Sequence, residues 1–178
     1  QFGVGLLTEN GFTHDVAMPH NLTALDLVEI ENRMKRIKKA NTPVEIIDVS
    51  IDGAITILEG QGHTYKVELL KYAKEHGTER ILREVGSPNA IFQQDGNVGT
   101  VQLFKIGDFI DLSSGLHLTH TGKIGHFKLN AISGAYWRGK ESNSQLQRIS
   151  GIGFSQKSEL DAELERLEQI KLRDHRRL

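Results

Sequence analysis

Two segments near the end of the chain decide the fold: His126-Phe-Lys-Leu-Asn-Ala-Ile-Ser-Gly-Ala-Tyr136 and Gln147-Arg-Ile-Ser-Gly-Ile-Gly-Phe154. Each predicts a strand. Two further strands are predicted before them, at Val101–Ile106 and Phe109–Leu112. The second half of the chain is therefore expected to be dominated by β structure.

The first residues predict a hairpin, because Asn10-Gly11 separates the extended segments Phe2–Leu7 and Phe12–Val16. A helix is predicted next, capped by Thr23 with Asp26. Its apolar stripe recurs three and four positions apart, at Leu27, Ile30, Met34 and Ile37. The basic residues between Arg33 and Lys39 then lie on the outer face of this helix.

The middle of the chain predicts a strand from Val44 to Val49 and two short helices, Ile51–Leu58 and Tyr65–His76, the second closed by Gly77. A break is predicted at Ser87-Pro88-Asn89, followed by an extended segment over residues 90–92 and a turn at residues 95–97.

A last helix is predicted from Ser158, which forms a cap with Asp161. Its apolar stripe consists of Leu160, Leu164, Leu167 and Ile170. Because helices and strands are segregated along the chain, the pattern predicts an α+β fold in which helices pack on an antiparallel sheet.

Composition excludes several classes of protein. The 178 residues include 22 Lys and Arg, 23 Asp and Glu, and no Cys, so neither a disulfide scaffold nor a zinc site with a thiolate ligand can form within them. No apolar run is long enough to span a membrane, and the first residues do not resemble a signal peptide. The cytoplasm is the default expectation.

The first residue is Gln1 rather than Met and the last helix does not end in a natural stop, so we expect a piece of a longer protein.

The densest group of polar residues lies between Asp108 and His126, and it includes Asp111, Ser113 and His117. Ser113 and His117 stand four positions apart, which a helix or a turn around Gly115 would bring together. A histidine here can act as a general base or as a metal ligand. The alternative is a polar loop whose hydroxyls cap backbone groups.

The second candidate is Ala135-Tyr136-Trp137-Arg138-Gly139, which holds the single Trp of the chain beside an arginine. Such a cluster can stack on RNA bases. Trp and Tyr at a strand end are more commonly part of the core and its rim.

These residues resemble a known family, the threonyl-tRNA synthetases, in their amino-terminal editing region. The resemblance rests on Ser133-Gly-Ala-Tyr-Trp-Arg-Gly139, on Gln145-Leu-Gln-Arg-Ile149 and on the final Arg173-Asp-His-Arg-Arg-Leu178, which is similar to the end of the family's linker helix. Asn10–Asp15 and Tyr65–Val67 add weaker matches. Ser114–Lys128 is more similar to alanyl-tRNA synthetase, which shares this domain.

The resemblance implies an editing domain over residues 1–154, with the second additional domain at about 103–153, and a linker helix over residues 155–178 that leads to a catalytic domain outside this chain. It implies hydrolysis of seryl-tRNA(Thr) in a parent enzyme that uses ATP, Mg²⁺, threonine and tRNA(Thr) and forms a homodimer through its catalytic domain. The family's first histidine pair falls upstream of Gln1, so the expected domain is truncated at its amino terminus.

Matching the family residue by residue implies that His117, Asp111, Lys66 and Ser113 are catalytic and that His14 binds substrate. His117 matches a metal-ligating histidine of the family, whereas Ser113 stands where the family has a cysteine. Losing that thiolate disfavours zinc. His14 stands where the family has a tyrosine.

Two alternatives stay open at this point. The first is a freestanding deacylase that acts in trans on misacylated tRNA, against which the linker helix argues. The second is a degenerate module that only binds the acceptor end of tRNA, which Ser113 and His14 favour as departures from the family pattern.

Overall fold

A computed structural model of the chain describes residues 1–85, 99–112 and 116–176. The strands in these ranges are β1 (Phe2–Thr8), β2 (Gly11–Val16), β3 (Val44–Ser50), β4 (Thr100–Ile106), β5 (Phe109–Leu112), β6 (His126–Tyr136) and β7 (Gln145–Phe154). The helices are α1 (Ala24–Ala40), α2 (Ile51–Gly60), α3 (Thr64–His76), α4 (Thr78–Val85) and α5 (Lys157–Arg176). The break, strand and turn predicted between residues 87 and 97 lie outside the described residues.

The strands form two antiparallel sheets, one in the order β1-β2-β7-β6 and one in the order β3-β4-β5. The predicted α+β fold with antiparallel strands is therefore confirmed. The hairpin of β1 and β2 is also confirmed, with Thr8 opposite Gly11 at its turn.

Most of the core is formed by helices α2 and α3 and the three-stranded sheet, with Ile51, Ala54, Leu58, Val67, Leu69, Leu70, Ala73, Val101, Leu103 and Leu112 buried. Trp137 and Leu146 of β7 extend the same core to the four-stranded sheet. Helix α4, which the sequence did not predict, adds the fully buried Ile81. Gly77 ends α3 with a backbone φ of 85°, and because glycine adopts this conformation at little cost, α4 can start at the next residue.

Helix α1 has the predicted capping box, in which the Thr23 hydroxyl accepts from the backbone of Asp26 and the Asp26 carboxylate accepts from the backbone of Thr23. The predicted apolar stripe is only partly buried, and Ile37 is 47% exposed. The buried residue of this helix is instead Glu31.

Glu31 attaches α1 to the edge strand β6. One carboxylate oxygen accepts the backbone N–H of Leu129 at 2.9 Å, next to the irregularity between Leu129 and Ala131 in the pairing of β6 with β7. The other oxygen accepts from Lys35 at 2.8 Å and from Lys128 at 3.2 Å. The carboxylate thus satisfies an edge-strand donor that has no strand partner.

The predicted cap of the last helix is wrong. Helix α5 begins at Lys157, so Ser158 lies inside it, and the carboxylate of Asp161 pairs with Lys157 at 2.6 Å. Glu159 supplies the cap, because its carboxylate accepts the backbone N–H of Gln156 at 3.2 Å. Within the described residues, none of the helices has the length and apolar character needed to cross a membrane.

Replacing Glu31 by Ala is expected to lower the free energy of unfolding by about 1–3 kcal/mol, because the buried N–H of Leu129 loses its acceptor. Urea denaturation at pH 7 measures this. The matched control is Glu29→Ala on the same helix, whose exposed carboxylate pairs with Arg33 and whose loss should leave stability nearly unchanged. Equal effects of the two substitutions would contradict the role given to Glu31.

The same interaction predicts a pH dependence. Burial alone would raise the pKa of Glu31, but hydrogen bonds from Lys35, Leu129 and Lys128 outweigh it and lower the pKa below its ordinary 4.5. A carboxyl with a lowered pKa stabilises the fold above its unfolded pKa and loses that contribution as pH falls through the folded value. The stability difference between wild type and Glu31→Ala should therefore shrink as the pH falls below 4.5.

Candidate functional site

A buried ion pair lies at the centre of the candidate site. The ammonium of Lys66 is 3.2 Å from both carboxylate oxygens of Asp111, and the two side chains are 5% and 4% exposed. Both residues were predicted as site residues, and the structure brings them together from positions 45 residues apart in sequence.

Local structure explains how the pair is positioned. Lys66 lies in the first turn of α3, and Asp111 lies in the short strand β5. The backbone N–H of Leu112 donates to Asp111 at 2.7 Å, which fixes the carboxylate. Leu112 itself packs in the core with Leu103 opposite it in β4. The core thus holds the strand that presents Asp111.

His14 of β2 is the third predicted residue at this place. Its buried Nε2 atom has no hydrogen-bond partner among the described residues. Burial, and then the positive charge of Lys66, lower the pKa of His14 from 6.5 to about 4, although Asp111 and Asp15 oppose the shift. Gly5 faces His14 across the hairpin, and a Cβ there would lie 3.1 Å from its Nδ1, so the glycine leaves room for the imidazole.

A buried nitrogen without a partner is costly in a folded protein unless a ligand or water satisfies it. His14 is neutral at physiological pH because its pKa is about 4. A neutral imidazole offers one donor and one acceptor nitrogen. His14 can therefore exchange a hydrogen bond with a substrate without adding charge to the site.

Aromatic rings surround these polar groups. The Phe2 ring packs edge-on against His14, with 5.3 Å between the ring centroids, and against Phe109 at 5.7 Å. His63, which is only 6% exposed, packs against Phe109 at 5.7 Å. Phe2, His14, His63 and Phe109 therefore form one aromatic cluster.

His117 is connected to the same site through Phe104. The two rings stack with centroids 5.8 Å apart, and Phe104 lies directly opposite Asp111 in the pairing of β4 with β5. His117 is half-buried. Ser113, the remaining predicted residue, lies outside the described residues.

Sequence reasoning missed the aromatic neighbours Phe2, His63 and Phe109. Local signals in the sequence could have indicated two of the three, His63 and Phe109. His63 precedes Lys66 by three positions at the start of a predicted helix, and Phe109 precedes Asp111 by two positions on a predicted strand, so each pair shares a face. No local signal indicates Phe2, because the pairing of β1 with β2 is what brings its ring to His14.

The tryptophan segment has a structural role. Trp137 is 4% exposed and donates to Glu68 of α3 at 3.0 Å, and the Arg138 guanidinium lies 4.3 Å from the Tyr72 ring centroid. A groove of about 570 Å³ along the outer side of α3 is lined by Glu68, Tyr72 and Arg138 and by none of the predicted site residues. The burial of Trp137 supports its interpretation as a core residue rather than as a ring that stacks on RNA bases.

The zinc that the resemblance implies for the family needs a cluster of ligating side chains. In residues 1–85, 99–112 and 116–176, no three His, Cys, Asp or Glu side chains lie close enough together to hold a metal ion. Asp111 pairs with Lys66, and the His117 ring stacks on Phe104. The donors among the described residues therefore do not fit a tetrahedral zinc site.

The chain is similar to known proteins over all of its length. Residues 101–150 match the family model described as the threonyl and alanyl tRNA synthetase second additional domain. The whole chain is 42% identical to part of the threonine–tRNA ligase of Geobacillus kaustophilus and 40% identical to part of that of Syntrophotalea carbinolica. In both cases the match covers 100% of this chain and 24% of the relative.

Residues 101–150 are thus similar to the second additional domain that threonyl- and alanyl-tRNA synthetases share. The whole chain is similar to a segment of threonyl-tRNA synthetases, as the resemblance implied. The chain spans about a quarter of the length of these relatives.

Removing one partner of the buried pair should be strongly destabilising. Lys66→Met leaves the Asp111 carboxylate buried without its cation, and we expect a loss of about 3–5 kcal/mol in the free energy of unfolding. The double substitution Lys66→Met with Asp111→Leu leaves no buried charge and should be less destabilising than Lys66→Met alone. Urea denaturation of wild type, the single variants Lys66→Met and Asp111→Leu, and the double variant measures the coupling energy. Additive effects of the two single substitutions would contradict a direct pair.

His14 should titrate far below an ordinary histidine. Its Cε1 proton, followed by NMR and assigned with a His14→Gln variant, is expected to shift with a midpoint near pH 4. The unfolded state takes up this proton at a higher pH than the folded state does. The free energy of unfolding should therefore fall as pH drops from 6.5 toward 4, by up to about 1.4 kcal/mol per pH unit. A midpoint near 6.5 would show that His14 is solvated.

Proposed function

We propose that this chain is the proofreading part of a threonine–tRNA ligase and hydrolyses seryl-tRNA(Thr). The observation that carries the proposal is the buried Lys66–Asp111 pair beside the unpartnered Nε2 of His14. Burying charged groups costs desolvation free energy, and such groups concentrate at functional sites. The matching relatives are threonine–tRNA ligases, which supplies the substrate class.

The need for such an activity follows from the size of the amino acids. Serine lacks one methyl group of threonine, and a missing methyl or methylene in a binding pocket gives a discrimination of only about 10- to 200-fold. A second site that hydrolyses the smaller product restores accuracy.

The reaction is an ester hydrolysis. The water oxygen attacks the carbonyl carbon of the seryl ester, the bond from that carbon to the ribose oxygen breaks, and the water proton passes to the ribose oxygen. Free serine and uncharged tRNA are the products. We assign to His117 the positioning or activation of the water, since a half-exposed imidazole can accept its proton.

Lys66 and Asp111 orient the substrate. An ammonium carries three protons and Asp111 takes two of them, which leaves one for the ester carbonyl, where negative charge develops. The carboxylate of Asp111 can accept from the amino group of the seryl moiety. His14, being neutral, can bond the serine hydroxyl without adding charge. Ser113 would contribute a hydroxyl.

The whole protein is proposed to attach threonine to tRNA(Thr) with ATP and Mg²⁺ in the cytoplasm. This rests on the names of the relatives and on the resemblance of residues 133–151 and 173–178 to the family. The partner of this chain is then the acceptor end of tRNA(Thr).

Deacylation of seryl-tRNA(Thr) tests the proposal, with threonyl-tRNA(Thr) as the competing substrate and the protein that contains this chain as the enzyme. Wild type should release serine much faster than threonine. His117→Ala should slow serine release by about 10²-fold or more, the usual contribution of a general base. His120→Ala is the matched control and should match wild type, because the Nδ1 of His120 lies 3.1 Å from the hydroxyl of its neighbour Thr119 and His120 is not among the proposed site residues.

One result would contradict the proposed activity, and another would contradict only the role of His117. Serine release that is no faster than spontaneous hydrolysis would favour the module that only binds the acceptor end. An unchanged rate in His117→Ala would remove His117 from the chemistry while leaving the activity itself.

A further inference from the structure

The loop that follows His117 is attached to the end of helix α1 by one buried threonine. Thr121 is 1% exposed. Its hydroxyl donates to the carbonyl oxygen of Ile37 at 2.8 Å and accepts the backbone N–H of Thr42 at 2.9 Å. The backbone N–H of Thr121 also donates to the carbonyl oxygen of Thr42, at 2.9 Å. One residue thus joins the loop both to the helix and to the chain that leaves it.

The way α1 ends leaves an acceptor for this hydroxyl. Asn41 caps the helix in the left-handed conformation, with a φ of 51°, and its backbone N–H bonds to the carbonyl oxygen of Lys38. In a continuing α-helix that N–H would bond to the carbonyl oxygen of Ile37 instead. The carbonyl of Ile37 is therefore left for a donor from outside the helix, and the hydroxyl of Thr121 supplies it.

Two further contacts hold the same loop against α1. A Cβ on Gly122 would overlap the amide oxygen of Asn41, so the loop can approach the helix this closely only with a glycine at this position. The ammonium of Lys38 donates to the carbonyl oxygen of Gly125 at 3.0 Å. The loop is therefore attached to α1 at several successive points, of which Thr121 is the most buried.

This attachment determines where His117 lies. The carbonyl oxygen of Thr119 accepts the backbone N–H of Val44, the first residue of β3, at 2.9 Å. Two residues further along β3, Ile46 lies opposite Phe104 of β4, whose ring stacks on His117. His117 is thus held on one side by its stacking contact with Phe104 and on the other by the attached loop.

We propose that Thr121 is a positioning residue that holds His117 in place for hydrolysis of the seryl ester. The inference rests on the proposed function, in which His117 positions or activates the attacking water. Thr121 lies four residues from His117 and acts on it only through the loop. Because general-base catalysis requires the base within hydrogen-bond reach of the water, a small displacement of His117 slows the reaction.

The test measures deacylation of seryl-tRNA(Thr) by variants of the protein that contains this chain. Thr121→Val keeps the shape of the side chain but removes both hydrogen bonds of the hydroxyl. It should lower kcat by about 10- to 100-fold, since a displacement of roughly 1 Å costs up to about 100-fold, and it should leave KM unchanged. Thr121→Ser keeps the hydroxyl and should retain most of the wild-type kcat.

Thr119→Val is the matched control, because it makes the same substitution two positions away in the same loop. The hydroxyl of Thr119 is exposed and lies 3.1 Å from the ring of its neighbour His120. The substitution keeps the backbone carbonyl that bonds to Val44. This variant should therefore match wild type in kcat and KM.

A second set of variants separates positioning from folding. In the His117→Ala background, Thr121→Val should have no further effect on kcat, because the side chain that Thr121 positions is already absent. Gly122→Ala displaces the loop through its overlap with Asn41 and should also lower kcat. Adding Asn41→Gly removes that overlap at a residue with positive φ, which glycine adopts readily, and should restore the rate. Gly122 is exposed, so this pair of variants tests the proposal even where Thr121→Val does not fold.

The outcomes separate this inference from the proposed function. A wild-type kcat in Thr121→Val overturns the positioning role, and the continued hydrolysis leaves the editing proposal standing. Equal slowing by Thr121→Val in the wild-type and His117→Ala backgrounds also overturns it, because Thr121 would then support the fold and not His117. Equal losses in Thr121→Ser and Thr121→Val would likewise overturn it. Absence of hydrolysis in wild type overturns both proposals.

Discussion

The buried ion pair between Lys66 and Asp111 is the interaction on which the candidate site depends. It connects the first turn of α3 to the short strand β5. A lysine and an aspartate that are each about 95% buried are tolerated only when they meet with good geometry. The pair also sets the electrostatics around it, because the positive charge of Lys66 helps to keep His14 neutral.

The residues that carry the family resemblance lie apart from the candidate site. The segment around Trp137 and Arg138 carried the resemblance, yet it attaches the end of β6 to α3 through Glu68 and the ring of Tyr72. It contacts the first and middle turns of the same helix that presents Lys66. A motif that identifies a family can thus act at a distance, by holding the element on which a site residue lies.

The sequence predicted most elements because their signals are local. The hairpin, the capping box of α1 and the strands β3 to β7 each follow from turn residues, caps or apolar patterning within a few positions. Helix α4 was missed because Gly77 ends one helix directly before the next begins. The cap of α5 was misplaced because Ser158 with Asp161 has the same spacing as Gln156 with Glu159, and the ion pair of Asp161 with Lys157 excludes the former.

The sequence indicated several residues of the candidate site but not how they come together. Lys66, Asp111 and His14 were found by resemblance, whereas their convergence depends on packing between distant elements. The burial of Glu31 and the ring contacts of Phe2 likewise depend on tertiary contacts, since edge strand β6 and the hairpin create environments that no local pattern encodes. Ser113 remains a prediction.

The most direct test of the central claim is a crystal structure of the protein with the hydrolysis-resistant seryl amide of adenosine bound. The account predicts that the seryl carbonyl lies within hydrogen-bond distance of Lys66, that its amino group contacts Asp111, and that Nε2 of His14 gains its missing partner. A ligand found instead in the groove lined by Glu68, Tyr72 and Arg138 would contradict it.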